Sequence, residues 1–140
     1  MNKKRFFALG ILIVLVIALN ACTFDFTRSP SGDIATSWTT SGLTHNHEAN
    51  RWHISANRVN GYTRRDINFT AESLSALQIA TSNNGGNISL AITQGETNKL
   101  VELAGEVNET LDISNDFEPG NIRLRLEFED AENVVITLNW

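Results

Sequence analysis

Alternation with a period of two is the feature that most limits what this chain can fold into. Between Asn121 and Glu129 the apolar residues Ile122, Leu124, Leu126 and Phe128 take every second position, and Arg123, Arg125, Glu127 and Glu129 fill the gaps. An extended strand sends successive side chains to opposite faces, so this segment predicts a strand with one buried and one charged face. The same beat returns at Trp52-Ile54-Ala56, Ile67-Phe69, Leu77-Ile79-Thr81, Ile88-Leu90-Ile92, Val107 to Ile113 and Val134 to Trp140. Beyond Cys22 no segment holds a 3.6 period. Helix is therefore expected only as one turn at Ala71-Glu72-Ser73, with Thr70 as its cap.

Turn chemistry separates these segments. Asn60-Gly61 predicts a hairpin turn, because both residues tolerate positive φ. Asn83 to Asn87, Gln94 to Thr97 and Phe117-Glu118-Pro119-Gly120 read as further turns, and Asp130 to Asn133 as a last one. Ile34 to Thr40 alternates around Trp38 and predicts an edge-like strand, while Ser41-Gly42 and Thr44 to Glu48 predict a polar loop. About eight short strands, with turns every ~8–12 residues, imply an all-β domain over 34–140, a single antiparallel two-sheet β-sandwich.

The start of the chain carries a different message. Lys3, Lys4 and Arg5 precede an unbroken apolar run from Phe6 to Leu19. As a helix that run would reach only about 21 Å, short of the ~30 Å hydrocarbon core. It reads as the apolar region of a secretory signal. It ends in Leu19-Asn20-Ala21-Cys22, which holds the only cysteine in the sequence. These residues resemble the lipobox of bacterial lipoproteins, with Asn20 where a small residue is usual. The resemblance implies cleavage between Ala21 and Cys22, a diacylglyceryl group on the Cys22 thiol, and an acylated amine. Two or more acyl chains anchor durably where one holds only marginally. The expected organisation is a signal peptide over 1–21, a flexible tether over 22–33 and the sandwich beyond. The expected location is the outer side of a cell membrane or an outer membrane, with the domain lipid-anchored there.

Charge excludes some partners. Of the 11 basic residues three lie before Phe6, and all 16 acidic residues follow Cys22. The part after the cleavage site thus sets eight basic against 16 acidic residues, a formal charge of −8. Nucleic acid is not an expected partner, since phosphate binding needs a basic surface. With Cys22 lipidated, no disulfide within the chain can form, so the core must hold the fold. The run from Asn60-Gly61-Tyr62 through Gly86, Gln94-Gly95, Phe117-x-Pro119-Gly120 and Trp140 resembles small bacterial lipoproteins. The sandwich outline is similar to jelly-roll, carbohydrate-binding-like modules. Both resemblances imply a fold and do not assign a function.

Trp38, Tyr62, Arg64 and Arg65 are the candidate ligand-binding residues, aromatic and cationic groups suited to a sugar ring or an acidic polymer. Arg58 belongs to the same basic stretch, whose simpler reading is a solvated hairpin tip with its charges paired. His45 and His47 would share a face of an extended segment, near Glu48 and His53. A zinc site needs further ligands at firm spacing and none is present, so no metal and no cofactor is expected. No serine sits in a nucleophile-elbow motif and no phosphate-binding glycine loop occurs, so an enzyme is not expected. The functional expectation is a non-catalytic module, anchored at a membrane through Cys22 and binding a ligand such as a glycan. The alternative is a structural or assembly component of the cell envelope that acts through another envelope protein.

Overall fold

In the computed structural model the described residues are 34–140. The signal segment, the tether and the Ala21-Cys22 site lie outside them. Eight strands follow in order among the described residues: β1 (Ile34–Ser41), β2 (Thr44–His47), β3 (Arg51–Phe69), β4 (Leu77–Ser82), β5 (Gly85–Gln94), β6 (Thr97–Glu102), β7 (Val107–Leu111) and β8 (Gly120–Asn139). One helical turn, α1 (Ala71–Leu74), follows β3. Every pairing is antiparallel. The architecture is an antiparallel all-β sandwich, as the alternation predicts.

Two long strands organise it. β3 and β8 pair from Arg51↔Asn139 to Phe69↔Gly120, and each crosses both layers. In the first layer the strand order is β1, the C-terminal part of β3, the N-terminal part of β8, β5, β6. In the second it is β2, the N-terminal part of β3, the C-terminal part of β8, β4, β7. The inward residues change parity where the strands cross over. On β3 they run Trp52, Ile54, Ala56, then Val59, Thr63, Ile67. On β8 they run Ile122, Leu124, Leu126, Phe128, then Ala131, then Val134, Ile136, Leu138. A bulge adds a residue to one strand and resets which side chains face in, letting a strand turn a corner between sheets.

Two predicted turns are therefore corrected. Asn60-Gly61 is a bulge inside β3, with the register shifting between Val59 and Gly61. Gly61 has φ +116, and a side chain there would strike the backbone of Ser37 and Trp38 on β1. Asp130 to Asn133 is the matching irregularity of β8, with φ of 47 at Asp130 and 51 at Asn133. Positive-φ residues serve hairpin tips and bulges alike, which is why the same composition misleads. The predicted loop at Thr44 to Glu48 is also corrected. Thr44 to His47 pairs with Ser55 to Trp52 as β2.

The buried side chains form one cluster shared by both layers. Leu103, Ile113 and Phe117 add to it from outside the strands. α1 starts at Thr70, whose hydroxyl accepts from the Ser73 amide at 3.2 Å while Ser73 Oγ accepts from the Thr70 amide at 2.9 Å. This reciprocal cap satisfies two amides that a helix start leaves open. Leu74 is buried beneath it, and its carbonyl accepts from the Ile113 amide at 2.8 Å.

Candidate functional site

The outer face of the first layer carries the charges. On β3 the outward residues are Tyr62, Arg64 and Asp66, and across from them on β8 stand Glu127, Arg125 and Arg123. On the other side of β8, Ser89, Ala91 and Thr93 of β5 continue the same rows. β6 ends them with Glu102, Leu100 and Asn98. Because β8 is central, its outward residues sit mid-face, where neighbours on both sides can reach them.

A groove of about 480 Å³ opens on this face. Tyr62 and Arg125 are its aromatic and cationic walls: the guanidinium carbon of Arg125 lies 4.0 Å from the centroid of the Tyr62 ring. A planar guanidinium stacks on an aromatic face in this way by charge–quadrupole attraction. Arg125 Nε is also 2.8 Å from Glu127 Oε1. Asn87, Ser89, Glu102 and Glu129 complete the polar lining, with Gly61 and Phe128 at the base of the tyrosine. Asn87 Nδ2 donates to Glu129 Oε2 at 3.0 Å. Gly86, with φ +74, lets β5 pass close to the carbonyls of Glu129 and Asp130 and so sets Asn87 against Glu129.

A smaller depression of about 210 Å³ lies farther along β3, β8 and β5, lined by Asp66, Thr93, Gln94, Gly95, Asn121 and Arg123. Four residues of strand separate Glu127 from Arg123, about 13 Å. Arg123 grips Asp66 with Nε to Oδ1 at 2.7 Å and Nη2 to Oδ2 at 3.0 Å. That hydrogen bond holds the Asp66 carboxyl below its ordinary value despite partial burial.

The four residues singled out in the sequence are not gathered in one place. Tyr62 lines the groove, and Arg64 follows on the same face opposite Arg125. Trp38 is half-buried against the core instead, with its ring 5.4 Å from His45 and 6.1 Å from Phe128. Arg65 reaches across to the second layer. It donates to the carbonyls of Glu48 at 2.7 Å and Arg51 at 3.1 Å, and its guanidinium lies 5.1 Å from the Trp140 ring. The hairpin-tip patch does not exist, since Arg58, Arg64 and Arg65 all belong to one strand. Arg58 pairs with Glu132 at 2.5 Å.

The histidines separate in the same manner. His45 faces the core and accepts a 2.8 Å hydrogen bond from Trp52 Nε1 at its Nε2. Burial first, then the charges of His47 and Arg65, lower its pKa from 6.5 to about 4. His47 lies on the same side, 5.7 Å away between ring centroids. His53 is on the opposite face, with Nδ1 2.9 Å from Thr137 Oγ1. Among the described residues no group of three or more potential ligands is placed to hold a metal ion.

No protein-family model matches this chain, and no curated protein matches it. A solved structure of TmCBM61 in complex with beta-1,4-galactotriose is similar over 76% of this chain and 82% of its own length, at 10% identity and a TM-score of 0.41. At that level the similarity bears on neither the ligand nor the site.

Sequence reading missed Arg125, Glu127, Asn87, Ser89 and Glu102 as groove residues. The available signal was the charge row at 123–129 on the most apolar strand, which marks a central strand with an unusually charged outer face. The register that brings Asn87 and Glu102 to it depends on which strands are neighbours.

Proposed function

We propose that this chain is a non-catalytic binding module for an extended, hydroxyl-rich ligand, of which an oligosaccharide is the natural class. The observation that carries this reading is the groove lined by Tyr62 and Arg125 on the central strands of the first layer. A sugar hydroxyl donates and accepts at once. The lining offers donors at Arg125 and Asn87 beside acceptors at Glu102, Glu127 and Glu129, and Ser89 does both. Tyr62 adds an amphipathic ring of the kind that packs against a sugar's apolar face. The platform belongs to paired strands, so little ordering entropy is lost on binding. The lipobox resemblance supplies the rest of the proposal. Lipidated Cys22 would hold the module at a membrane on its outer side, with residues 22–33 as tether.

Titration of the purified chain with a panel of neutral oligosaccharides tests this reading. Binding at micromolar to millimolar strength is expected, with loss of about tenfold or more in Tyr62→Ala and in Arg125→Ala while the domain stays folded. Release of shortened products from the bound sugar would show catalysis and contradict the non-catalytic reading. Binding untouched by either substitution would move the site elsewhere. The rival, assembly with an envelope protein through an open sheet edge, has β6 in its favour, where Leu100 is 60% exposed. Capture of one envelope protein that Leu100→Lys abolishes, together with no sugar binding, would favour it.

A further inference from the structure

Resting on the glycan reading, we infer that the groove selects a sugar chain bearing a protonated amine and disfavours acidic sugars, with Glu102 as the residue that sets this selectivity. The groove has four charged side chains, Arg125 against Glu102, Glu127 and Glu129. The one cation of that lining, Arg125, is stacked on Tyr62 and lies within ion-pair distance of Glu127, so it balances one of the three carboxylates and keeps donors to spare. Among the described residues the partner of Glu129 is the neutral amide of Asn87. Glu102 is exposed, on β6 across Ser89 from Glu127. Among the described residues Glu102 and Glu129, flanking Asn87 and Ser89, thus have no ion-pair partner. An ammonium group is a compact charge with three donors, and Glu102, Glu129 and Ser89 Oγ together supply three acceptors. A carboxylate or sulfate in the same position would meet like charge. The smaller depression lacks this bias, because Arg123 and Asp66 neutralise each other there. The amine is thus read in the larger groove.

The arginines singled out in the sequence point the other way, toward acidic polymers. In the structure Arg58 is paired with Glu132 and Arg65 with two backbone carbonyls, while Arg64 lies opposite Arg125 and outside the groove lining. What the groove presents is net negative charge.

The test compares three tetramers at about pH 6 and low salt with the full chain in detergent: glucosamine, N-acetylglucosamine and a uronic acid. The glucosamine tetramer is expected to bind about three- to tenfold more tightly than its N-acetylated counterpart, the scale of one or two solvated ion pairs. The uronic acid tetramer should bind weakest. Raising salt to about 0.5 M should erase most of the preference. In Glu102→Gln, which keeps shape and hydrogen bonding but not charge, the ratio should fall below about two. Equal affinity for the amine and its acetylated form, or a preference that survives Glu102→Gln, overturns the inference and leaves glycan binding standing. Equal binding of tetralysine also overturns it, since charge alone would then be the cue. Failure of all three tetramers and of every neutral oligosaccharide to bind removes the glycan reading itself.

Discussion

The same two strands build both outer faces of this sandwich, and they do so with different chemistry. In the first layer β3 and β8 turn out Tyr62, Arg64, Asp66, Arg123, Arg125 and Glu127. Past their bends, in the second layer, they turn out Arg51, His53, Ser55, Val135, Thr137 and Asn139. β4 and β7 extend that second face with Gln78, Ala80 and Asn108. Their inward halves, by contrast, are alike, a run of Ile, Leu, Val and aromatic residues on both sides. Folding needs the inward half and asks little of the outward one, where substitutions usually cost under about half a kcal/mol. A groove-bearing face dense in charge on one layer and a mostly neutral polar one, with Arg51 at its end, on the other is therefore not dictated by stability. The binding proposed for the first layer would account for the difference.

The largest expected effect tests the two sides of one strand. Leu126→Asp places a carboxylate in the core, at a cost of several kcal/mol against a total of about 5–15, and should unfold the domain. Ile136→Asp should do the same in the second layer. Arg125→Ala, one residue from Leu126 and on the groove side, should lower stability by no more than about 1 kcal/mol, which thermal melts followed by circular dichroism would show.

A smaller effect distinguishes a bulge from a hairpin. Gly61→Ala must place a side chain against β1 at φ +116 and should cost about 2–4 kcal/mol, more than the ~1 kcal/mol of an open turn position. Urea unfolding measures the difference. A loss below about 1 kcal/mol would mean that β1 does not lie where the register puts it.

Next comes pH. His45 is held neutral in the folded state, with a pKa near 4 against 6.5 when unfolded. A depressed value means that the unfolded chain takes the proton first. Stability is then full above about pH 6.5 and declines as pH falls toward 4, by about 1–2 kcal/mol once partial solvation is allowed for. In His45→Asn the melting temperature should be flatter across that window. Carboxylates such as Asp66 and Asp112, whose values are lowered by hydrogen bonds, lose their contribution only at lower pH. The smallest change is Arg58→Ala, which removes an exposed pair with Glu132 and should leave the melting temperature essentially unmoved in the same melts.

These contrasts also show where the sequence is legible. Ile122 to Phe128, Ile88 to Ile92 and Val134 to Leu138 declare their faces, because burying alternate residues leaves a pattern that no other structure needs. The joins are less readable. Asn60-Gly61 and Asp130 to Asn133 advertise positive φ, and only the partner strand decides between a turn and a bulge. β2 hides because Thr44 to His47 is a short polar edge strand with little to bury. At the candidate site Tyr62 stands out as an aromatic residue in a polar setting. Arg125 and Glu127 read as a solubilising pair until β3 and β5 are known to flank them. Asn87, Ser89 and Glu102 carry no local signal at all, for their role comes from register between strands distant in sequence. Trp38 misleads for a physical reason as well: its polar neighbours suggest exposure, whereas the ring packs on His45 and Phe128.

The central claim is that one outer face binds a ligand and the other does not. Amide and side-chain NMR shifts of the domain, followed during titration with a glucosamine or neutral oligosaccharide, test it directly. The account predicts saturable changes at Tyr62, Asn87, Ser89, Glu102, Arg125 and Glu127, with His53, Ser55, Gln78 and Thr137 unmoved. Changes centred on those four second-layer residues, with Tyr62 and Arg125 silent, would contradict it.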